Sequence, residues 1–455
     1  MNYTEAINYL LSLLDHERTE PRIPRQKRIY NLDCMQTLLR SMGNPQEAIE
    51  TIHVAGTKGK GSTAAMCNSI LGQAGYSTGF YSSPHLHTFR ERVRLGGQLI
   101  PEVEFAQLVR RIKPYCDAIT ELGTIGPVSL FEFMTAMAFS YFADQEVDFQ
   151  VVEVGLGGRL DATNVVNPAV ALITSVSLDH TSILGDSLEE IAYEKGGIIK
   201  SGTPAVISPQ DNRVMNVLQG ICSANSTEAI VVGEDVTYEF LGRTNDGQRA
   251  LINGRLGEYE VILSLLGSHQ LENAATALAG IEVLIDNGAD ISVSAISNGF
   301  KNVSWPCRME IISQSPTLIL DGAHNPYSVS RVLSEVRANF TYNNCVVIVG
   351  FSRDKNVEDM VNIIAEIEPR VVVTESRHPR SLDSNKLYDH FVDSGLNEVK
   401  RTDDVDTALK IAKTWAGSDD LILIIGSLFV AAEGREEVLG IIPEIYPDLL
   451  SGSQI

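Results

Sequence analysis

Apolar residues in the N-terminal part of the chain follow two alternating patterns. Short, nearly continuous apolar runs occur at residues 52–55, 78–81, 147–154, 169–175, 204–208 and 230–232. Apolar residues with helical spacing occur at 3–14, 32–42, from 64 onward, 102–121, 129–144 and 269–287. A run that is apolar at almost every position indicates a strand buried on both faces. The alternation therefore predicts an α/β domain with a mostly parallel sheet.

Two segments of this part break the alternation. Residues 236–263 alternate polar and apolar positions around glycine and asparagine, which predicts a small antiparallel excursion. Residues 82–95 are polar and basic, which predicts a loop after the strand at 78–81.

The C-terminal part repeats the strand and helix alternation. Apolar runs at 317–320, 345–350, 371–374, 398–401 and 421–425 are separated by helical stretches. The periodicity breaks at the Trp305–Pro306 step, where a linker is plausible. We therefore expect a domain over residues 1–302 and a smaller, Rossmann-like α/β domain over 303–455.

Composition and charge restrict the function classes. The formal net charge of −22 speaks against non-specific nucleic-acid binding. The longest apolar run, 421–432, is too short for a membrane span, and the N-terminus predicts an amphipathic helix instead of a signal peptide. The six scattered cysteines predict neither a disulfide framework nor a zinc site, and fit the cytoplasm. In so acidic a chain, isolated cations such as Lys60, Arg92, Arg159, Lys195 and Arg308 become candidates for binding anions.

A glycine loop between the first strand and a helix is the strongest candidate for chemistry. The sequence GTKGKGST covers residues 56–63 and follows the apolar run at 52–55. Backbone N–H groups and a helix N-terminus converge on anionic oxygens in such a loop. Lys60 would reach the β and γ phosphates of a nucleotide, and Ser62 or Thr63 would offer a hydroxyl to Mg²⁺. The match to the P-loop pattern is imperfect, so a glycine-rich turn with solvated lysines is the alternative.

Polar groups also stand at the ends of two predicted strands. Glu153 ends one apolar run and leads into the glycine-rich residues 154–164, whereas Asp179 and His180 follow the next run. In an open parallel sheet, ligand-binding groups gather at the carboxyl ends of the strands. We therefore expect these side chains beside the glycine loop.

Several motifs in a fixed order carry a family resemblance over roughly residues 3–435. They are GTKGKGST, YSSPHL, FEF, VVEVGLGGRLDATN, SLDHTSILG, EKGGIIK, LENAATAL, WPCRME and DGAHNP. Together they resemble the folylpolyglutamate synthase and dihydrofolate synthase family of the Mur ligase superfamily. That resemblance implies a cytoplasmic, two-domain ATP and Mg²⁺ dependent ligase. The enzyme would convert a folate-type carboxylate to an acyl phosphate and join it to L-glutamate.

The resemblance implies a role for individual residues. It implies ATP contacts at Gly59, Lys60, Gly61, Ser62, Asn273, Arg308, Asp321 and His324. It implies metal ligands at Ser83, Glu153, His180 and a carbamylated Lys195, with Lys60, His180 and Lys195 as catalytic residues. It implies pterin-substrate contacts at Ser129, Leu130, Phe131, Glu132, Leu160, Asp161 and Ala162.

Ordinary structural roles remain as alternatives at several of these positions. Ser83 could be a turn residue, Glu153 a solvated carboxylate and His180 a loop histidine. Phe131 could belong to the core, and Asp321 could cap a helix. Cys34 stands where relatives often carry an arginine, which leaves the pterin contacts of that segment open.

Two other functions are weighed against folate glutamylation. A peptidoglycan-precursor ligase would carry a further domain before the P-loop, where this chain has only about fifty residues. A non-catalytic ATP-binding regulator is the alternative from another class. The sequence leaves open whether the enzyme makes dihydrofolate from dihydropteroate, extends the glutamate tail of a reduced folate, or does both. Residues 121–124 and 154–164 favour both activities. The resemblance implies a monomer, and the charge and apolar run lengths predict neither nucleic-acid nor membrane partners.

Overall fold

The computed structural model describes residues 1–13, 31–123 and 125–445. Residue 14, the predicted end of the first helix, and Thr124, within the 121–124 stretch, lie outside the described residues. The chain divides into two compact units. The first contains Met1–His85, Phe89–Ser264 and Ser268–Ser304, and the second contains Leu86–Thr88, Leu265–Gly267 and Trp305–Ile455.

The first unit is built on a mostly parallel sheet, as predicted. In the described part of the chain this sheet has eight strands: β1 (Glu50–Ala55), β2 (Thr78–Tyr81), β3 (Val93–Leu95), β4 (Gln98–Leu99), β5 (Phe149–Glu153), β6 (Val170–Ile173), β7 (Ala205–Ile207) and β8 (Ala229–Val231). Their order is β4-β3-β2-β5-β1-β6-β7-β8, and β2, β5, β1, β6, β7 and β8 are parallel. The central strands are buried at nearly every position, because helices cover both faces.

Helices surround this sheet. They are α1 (Tyr3–Leu11), α2 (Asp33–Ser41), α3 (Lys60–Gln73), α4 (Glu102–Leu122), α5 (Leu130–Asp144), α6 (Thr181–Leu184), α7 (Leu188–Gly196), α8 (Asn212–Ala224), α9 (Ser268–Asp286) and α10 (Val293–Asn302). Capping boxes start α5 and α7: Ser129 with Glu132, and Ser187 with Glu190. The two boxes fix where each helix begins.

The small antiparallel excursion is confirmed. It comprises β9 (Thr237–Thr244), β10 (Gly247–Asn253) and β11 (Glu258–Leu263) in the order β11-β10-β9. Glu282, fully buried on α9, accepts hydrogen bonds from the backbone N–H groups of Arg255 and Leu256. The turn between β10 and β11 is therefore held by a buried carboxylate.

The prediction of a loop over residues 82–95 is wrong for its second half. Phe89–Arg92 forms a 3-10 helix, and β3 pairs antiparallel with β2. Pairing with β2 satisfies the backbone N–H and C=O groups of β3, although its side chains show no strand pattern in the sequence.

Within the described residues, no helix combines the length and apolar character needed to cross a membrane.

The second unit is a smaller α/β fold, as predicted. Its described strands are β12 (Glu310–Gln314), β13 (Thr317–Leu320), β14 (Cys345–Val349), β15 (Arg370–Val373), β16 (Val399–Arg401) and β17 (Leu421–Ile425), in the order β12-β13-β17-β14-β15-β16. All neighbours except β12 and β13 are parallel. The described helices are α11 (Pro326–Asn339), α12 (Val357–Ala365), α13 (Ser384–Asp393), α14 (Val405–Trp415) and α15 (Leu428–Leu439). Its core lies on both faces of the sheet, around strands such as β14 and β17 that are completely buried.

Candidate active site

The glycine loop connects β1 to α3, as a phosphate-binding loop does. Gly59 has φ +90° and directly precedes α3, and Gly61 and Ser62 lie in the first turn of that helix. A Cβ at Gly59 would lie 2.3 Å from the side-chain oxygen of Asn273 on α9. The structure thus brings Gly59 and Asn273 together, and the left-handed backbone and the close approach both require glycine.

Two lysines of the predicted site donate to one carbonyl oxygen in this loop. The Nζ atoms of Lys60 and Lys195 lie 3.2 Å and 2.8 Å from the carbonyl oxygen of Gly56. Lys195 is 3% exposed. Burial, together with the charges of Lys60 and Lys58, lowers the pKa of the Lys195 amine to about 7. A substantial fraction of this amine is therefore neutral near physiological pH.

A small cavity of about 40 Å³ lies next to these lysines. Its walls come from the glycine loop, the start of the 154–164 loop, the loop after β6 and α7: Gly56, Thr57, Lys60, Gly155, Leu156, Gly157, Asp179, His180, Leu184 and Lys195. The three predicted catalytic residues, Lys60, His180 and Lys195, therefore line one cavity in the first unit.

Two of the predicted metal ligands also meet. Glu153 ends β5, is 5% exposed, and lies in register with Val54 of β1 just before the glycine loop. The backbone N–H of Ser83 donates to a Glu153 carboxylate oxygen at 3.4 Å. Within residues 1–13, 31–123 and 125–445, His, Cys, Asp and Glu side chains form no group of three that could hold a metal ion. Any metal here would thus need oxygen ligands from outside this set, such as hydroxyl, phosphate or water oxygens.

His180 has an unusual backbone conformation for a non-glycine residue. Its φ is +51°, it directly precedes the short helix α6 as the N-cap residue, and its side chain is 55% exposed. The preceding Asp179 accepts hydrogen bonds from Lys58 and from the His180 backbone N–H. Sequence reasoning missed this use of Lys58, although the opposite charges of Lys58 and Asp179 were a signal available in the sequence.

The residues predicted to contact a pterin lie at the start of α5 and in the 154–164 loop. A Cβ at Gly155 would lie 2.4 Å from the ring of Phe131, so α5 and this loop touch. Phe133 is fully buried in the core, whereas Phe131 is only partly buried and lies 6.0 Å from the Tyr81 ring. Of the two phenylalanines, Phe131 is therefore the one placed to meet a ligand.

Glu132 and Asp161 already have partners within the protein. Glu132 accepts from the backbone N–H and the hydroxyl of Ser129. Asp161, 6% exposed, accepts from the backbone N–H of Leu156 and from the hydroxyl of Thr163. Its neighbours Leu160 and Ala162 lie in the same loop. Asp161 thus fixes the loop that carries Leu156 into the cavity.

Cys34 lies beside this region. Burial and the nearby Glu132 carboxylate raise the pKa of the Cys34 thiol to about 12. The thiol is therefore neutral at physiological pH, so no cation stands at position 34 beside Glu132.

The remaining predicted nucleotide contacts form a separate cluster in the second unit. Asp321, 7% exposed, accepts from the backbone N–H groups of Met309 and Ala323, each at 2.8 Å. A Cβ at Gly322 would lie 2.6 Å from Arg308 Nη1, and His324 Nδ1 lies 2.8 Å from the Gly322 carbonyl oxygen. Arg308, Asp321 and His324 therefore meet around Gly322.

Comparisons with known proteins agree with the arrangement of these motifs. Residues 54–281 match the Mur ligase middle domain, and residues 307–428 match the Mur ligase glutamate ligase domain. The chain is 34% identical over 423 residues to the dihydrofolate synthase/folylpolyglutamate synthase of Bacillus subtilis, covering 90% of this chain and 94% of that protein.

Solved structures extend the likeness to the whole fold. Folylpolyglutamate synthase of Mycobacterium tuberculosis, complexed with ADP and AMPPCP, superposes with a TM-score of 0.88 at 32% identity, covering 97% of this chain and 100% of that one. E. coli FolC in complex with DHPP and ADP superposes with a TM-score of 0.83 at 28% identity, covering 97% and 98%. The resemblance seen in the motifs is confirmed, and the chain belongs to the folylpolyglutamate synthase and dihydrofolate synthase family of Mur ligases.

Proposed function

We propose that this protein is an ATP-dependent ligase that adds L-glutamate to a folate-type carboxylate through an acyl phosphate. The observation that carries the proposal is the cavity lined by Lys60, His180 and Lys195 at the glycine loop, in a chain of this family. Dihydropteroate and a reduced folate are both proposed acceptors, because the relatives include enzymes named for either activity.

The glycine loop is the proposed site for the phosphates of ATP. Gly59, Gly61 and Ser62 place their backbone N–H groups at the start of α3, where the helix dipole favours anions. The Lys60 ammonium is 3.2 Å from the Gly56 carbonyl oxygen and can turn to the transferred phosphoryl group. Asn273, close to Gly59, is the proposed contact from α9.

The donor set beside this loop fits Mg²⁺. Ser83 would offer a hydroxyl, Glu153 a carboxylate and His180 an imidazole, and phosphate and water oxygens would supply the remaining ligands of the kind that Mg²⁺ prefers. The burial of Glu153 supports this fit, since a carboxylate that is 5% exposed needs a cation or hydrogen-bond donors to remain ionised. A bound Mg²⁺ would neutralise charge on the phosphoryl group as it is transferred.

Lys195 is proposed to carry a carbamate. Its neutral amine would form an N–C bond to carbon dioxide with release of one proton, which replaces a neutral amine by an anionic carbamate. Burial and the positive neighbours Lys58 and Lys60 favour the neutral amine that this step requires. The carbamate oxygens would join the metal ligands and attract the Lys60 ammonium, which lies near the same Gly56 carbonyl oxygen.

The two chemical steps follow from this arrangement. A carboxylate oxygen of the substrate attacks the γ phosphorus of ATP, the bond to the bridging oxygen breaks, and ADP leaves. The amino group of L-glutamate then attacks the acyl carbon, phosphate leaves, and the amine gives up a proton. The role of Lys60 is to hold the phosphoryl oxygens during the first step, in the cavity that Leu156 and Gly157 also line.

The acceptor is proposed to bind at the start of α5. Ser129, Leu130, Phe131 and Glu132 are the proposed contacts there, and Phe131 approaches Gly155 of the 154–164 loop. The Phe131 ring is suited to stack on a pterin, and Leu160, Asp161 and Ala162 would supply the opposite side.

Residues 1–302 are proposed as the ATP-binding domain and residues 303–455 as the glutamate ligase domain. In the latter, Arg308, Asp321 and His324 are the proposed nucleotide contacts, because they meet around Gly322 at the carboxyl end of β13. We further propose that the protein acts as a cytoplasmic monomer on small molecules, without nucleic-acid or membrane partners.

An acceptor-dependence assay tests the proposed function. ADP release is measured with dihydropteroate or a reduced folate monoglutamate, each with and without L-glutamate, and products are resolved by mass. Glutamylated product and ADP release that needs both substrates are expected. Lys60→Ala should lose both product formation and ADP release, while a change at the exposed Lys410, Lys410→Ala, should keep both.

Equal ADP release without an acceptor, or product formation by Lys60→Ala, would overturn the proposal. Turnover only with another carboxylate would favour a different Mur-type ligase, and no turnover despite ATP binding would favour a non-catalytic regulator.

A further inference from the structure

The glycine loop is tied by side chains to the loop that follows β6. The Nζ atom of Lys58 lies 2.8 Å from a carboxylate oxygen of Asp179, and the two side chains are 28% and 18% exposed. The hydroxyl of Thr57 donates to the carbonyl oxygen of Ser177 and accepts from the Ser177 backbone N–H, each at 3.1 Å. The two loops therefore share one set of contacts beside the cavity.

Asp179 links this ion pair to His180. One of its carboxylate oxygens accepts from Lys58, and the other accepts from the His180 backbone N–H at 3.0 Å. His180 has φ +51° and ψ +36°, a left-handed conformation that a non-glycine residue adopts only when its surroundings impose it. Asp179 is therefore placed to hold the conformation that carries the imidazole to the cavity wall.

The Lys58 side chain donates to a different acceptor from the other two lysines of the site. Lys60 and Lys195 both donate to the Gly56 carbonyl oxygen inside the loop, whereas the Lys58 ammonium donates to the carboxylate of Asp179. Lys58 belongs to the glycine loop in sequence, and its ammonium contacts Asp179, which lines the cavity from the loop after β6.

We infer that Lys58 is a positioning residue that acts through Asp179 to set His180, and that the Lys58–Asp179 pair strengthens metal binding at the proposed site. This inference rests on the proposed function only in taking His180 as a metal ligand. A side chain that orients a ligand without touching the metal typically accounts for about 10-fold to 100-fold in metal affinity. The competing role for a lysine in such a loop is direct contact with nucleotide phosphates.

Four variants separate these two roles. Lys58→Met and Asp179→Asn each remove the ion pair, and the Asn side chain keeps an acceptor for the His180 backbone N–H. The double variant tests whether the two side chains act as one unit, and Lys58→Arg keeps the pair. Lys410→Met is the matched control, since it removes a Lys–Asp pair on α14 of the second unit, with Lys410 71% exposed.

Calorimetry of ADP binding is the first measurement, because it needs no turnover. Without Mg²⁺, ADP affinity should stay within about twofold of the wild-type value in every variant, since the phosphate cradle is unchanged. With Mg²⁺ titrated, Lys58→Met, Asp179→Asn and the double variant should require about tenfold more metal for the same ADP affinity. Lys58→Arg and Lys410→Met should behave like the wild type.

A histidine side-chain NMR spectrum of the metal-free protein is the second measurement. The His180 signal, identified by its loss in His180→Gln, should shift in Lys58→Met and in Asp179→Asn but not in Lys410→Met. An unshifted signal in both variants would overturn the inference. So would an additive loss in the double variant, or a loss of metal-free ADP affinity in Lys58→Met that Asp179→Asn does not share. A wild-type protein that binds Mg²⁺ and ADP but forms no amide product would contradict the proposed function alone.

Discussion

Lys60 and Lys195 donate to the same atom, the carbonyl oxygen of Gly56, from different parts of the chain. Lys60 opens α3, and Lys195 comes from the last turn of α7, with 3% of its surface exposed. Two ammonium groups this close repel each other, and burial further disfavours the charged form of Lys195. The pair is therefore most stable when Lys195 is neutral or carries a negative group.

The first prediction concerns the chemical state of Lys195. Because its pKa is lowered to about 7, the amine is available to react with carbon dioxide at neutral pH. Intact-mass and peptide-mass measurements with bicarbonate, Mg²⁺ and nucleotide should show the addition of one carbon dioxide at Lys195. The carbamate should be lost on acidification, because protonation reverses the reaction.

A substitution at the same position supplies the activity test. Lys195→Ala should lower the turnover number by about 10²-fold or more, since a charged group beside the transferred phosphoryl is removed. A short carboxylic acid such as acetate should restore part of the activity, whereas it should not restore Lys60→Ala. An unmodified amine at saturating bicarbonate and Mg²⁺, together with no rescue, would contradict the prediction.

The second prediction concerns the close approach of Gly59 to Asn273. In Gly59→Ala the new methyl group would lie 2.3 Å from the Asn273 side-chain oxygen, and φ is +90°. Both the strain and the contact displace the loop, so ADP affinity should fall by tenfold or more, with a stability loss of about 1 to 3 kcal/mol. Binding calorimetry and urea unfolding measure the two effects.

Gly75→Ala is the matched control for this prediction. Gly75 has almost the same backbone, with φ +92°, but a Cβ there has no atom within 4 Å. It should show a loss of stability of about 1 kcal/mol from backbone strain and no change in ADP affinity. Equal ADP affinities for the two variants would show that contact with Asn273 does not shape the nucleotide site.

Local patterns in the sequence predicted most of the fold. Strands such as β1, β5 and β14 are buried at almost every position, so each lies in a nearly continuous apolar run. The β3 and β4 pair was missed because the two strands span only three and two residues, too few to show a strand pattern. Their pairing depends on the neighbouring β2, which no local spacing records.

The sequence likewise predicted some contacts of the candidate site and not others. Strand ends predicted that Asp179 and His180 would lie beside the glycine loop, and the family resemblance added Lys195. Lys60, Asp179, His180 and Lys195 line one cavity. The pairing of Lys58 with Asp179 was not predicted, since the two residues are 121 positions apart and each has several possible partners. Side-chain contacts at such separations follow from the register of packed strands and helices, which motifs alone do not specify.

The third prediction tests the acceptor site through Gly155 and Phe131. In Gly155→Ala a methyl group would lie 2.4 Å from the Phe131 ring, so the ring must move. We expect the KM for the folate-type acceptor to rise by about tenfold, with the KM for ATP nearly unchanged, because the phosphate loop is not displaced. Steady-state kinetics with each substrate varied in turn measures this difference.

Two further variants separate acceptor binding from a general packing defect. Phe131→Ala should also raise the acceptor KM, and adding Gly155→Ala to it should have little further effect, since the two changes act on the same ring. Gly72→Ala on α3, where a Cβ meets no atom within 4 Å, should leave both KM values unchanged. A rise in the KM for ATP as large as that for the acceptor would place Phe131 outside the acceptor site.

The last prediction uses the buried histidine of β1. His53 is fully buried, its Nε2 lies 2.9 Å from the Thr163 hydroxyl, and Thr163 in turn donates to Asp161. Burial lowers the pKa of His53 to about 3, against 6.5 for an exposed histidine. As the pH falls from about 6.5 towards 3, the unfolded chain takes up a proton that the folded chain excludes, so stability is lost across that window.

In His53→Gln this loss is absent. The difference in unfolding free energy between about pH 7 and about pH 4 should therefore shrink by about 2 to 3 kcal/mol relative to the wild type. Urea unfolding at the two pH values measures it, with His390→Gln, at an exposed histidine of α13, as the control that should follow the wild type. Parallel losses in the wild type and His53→Gln would show that the histidine is not held neutral by the fold.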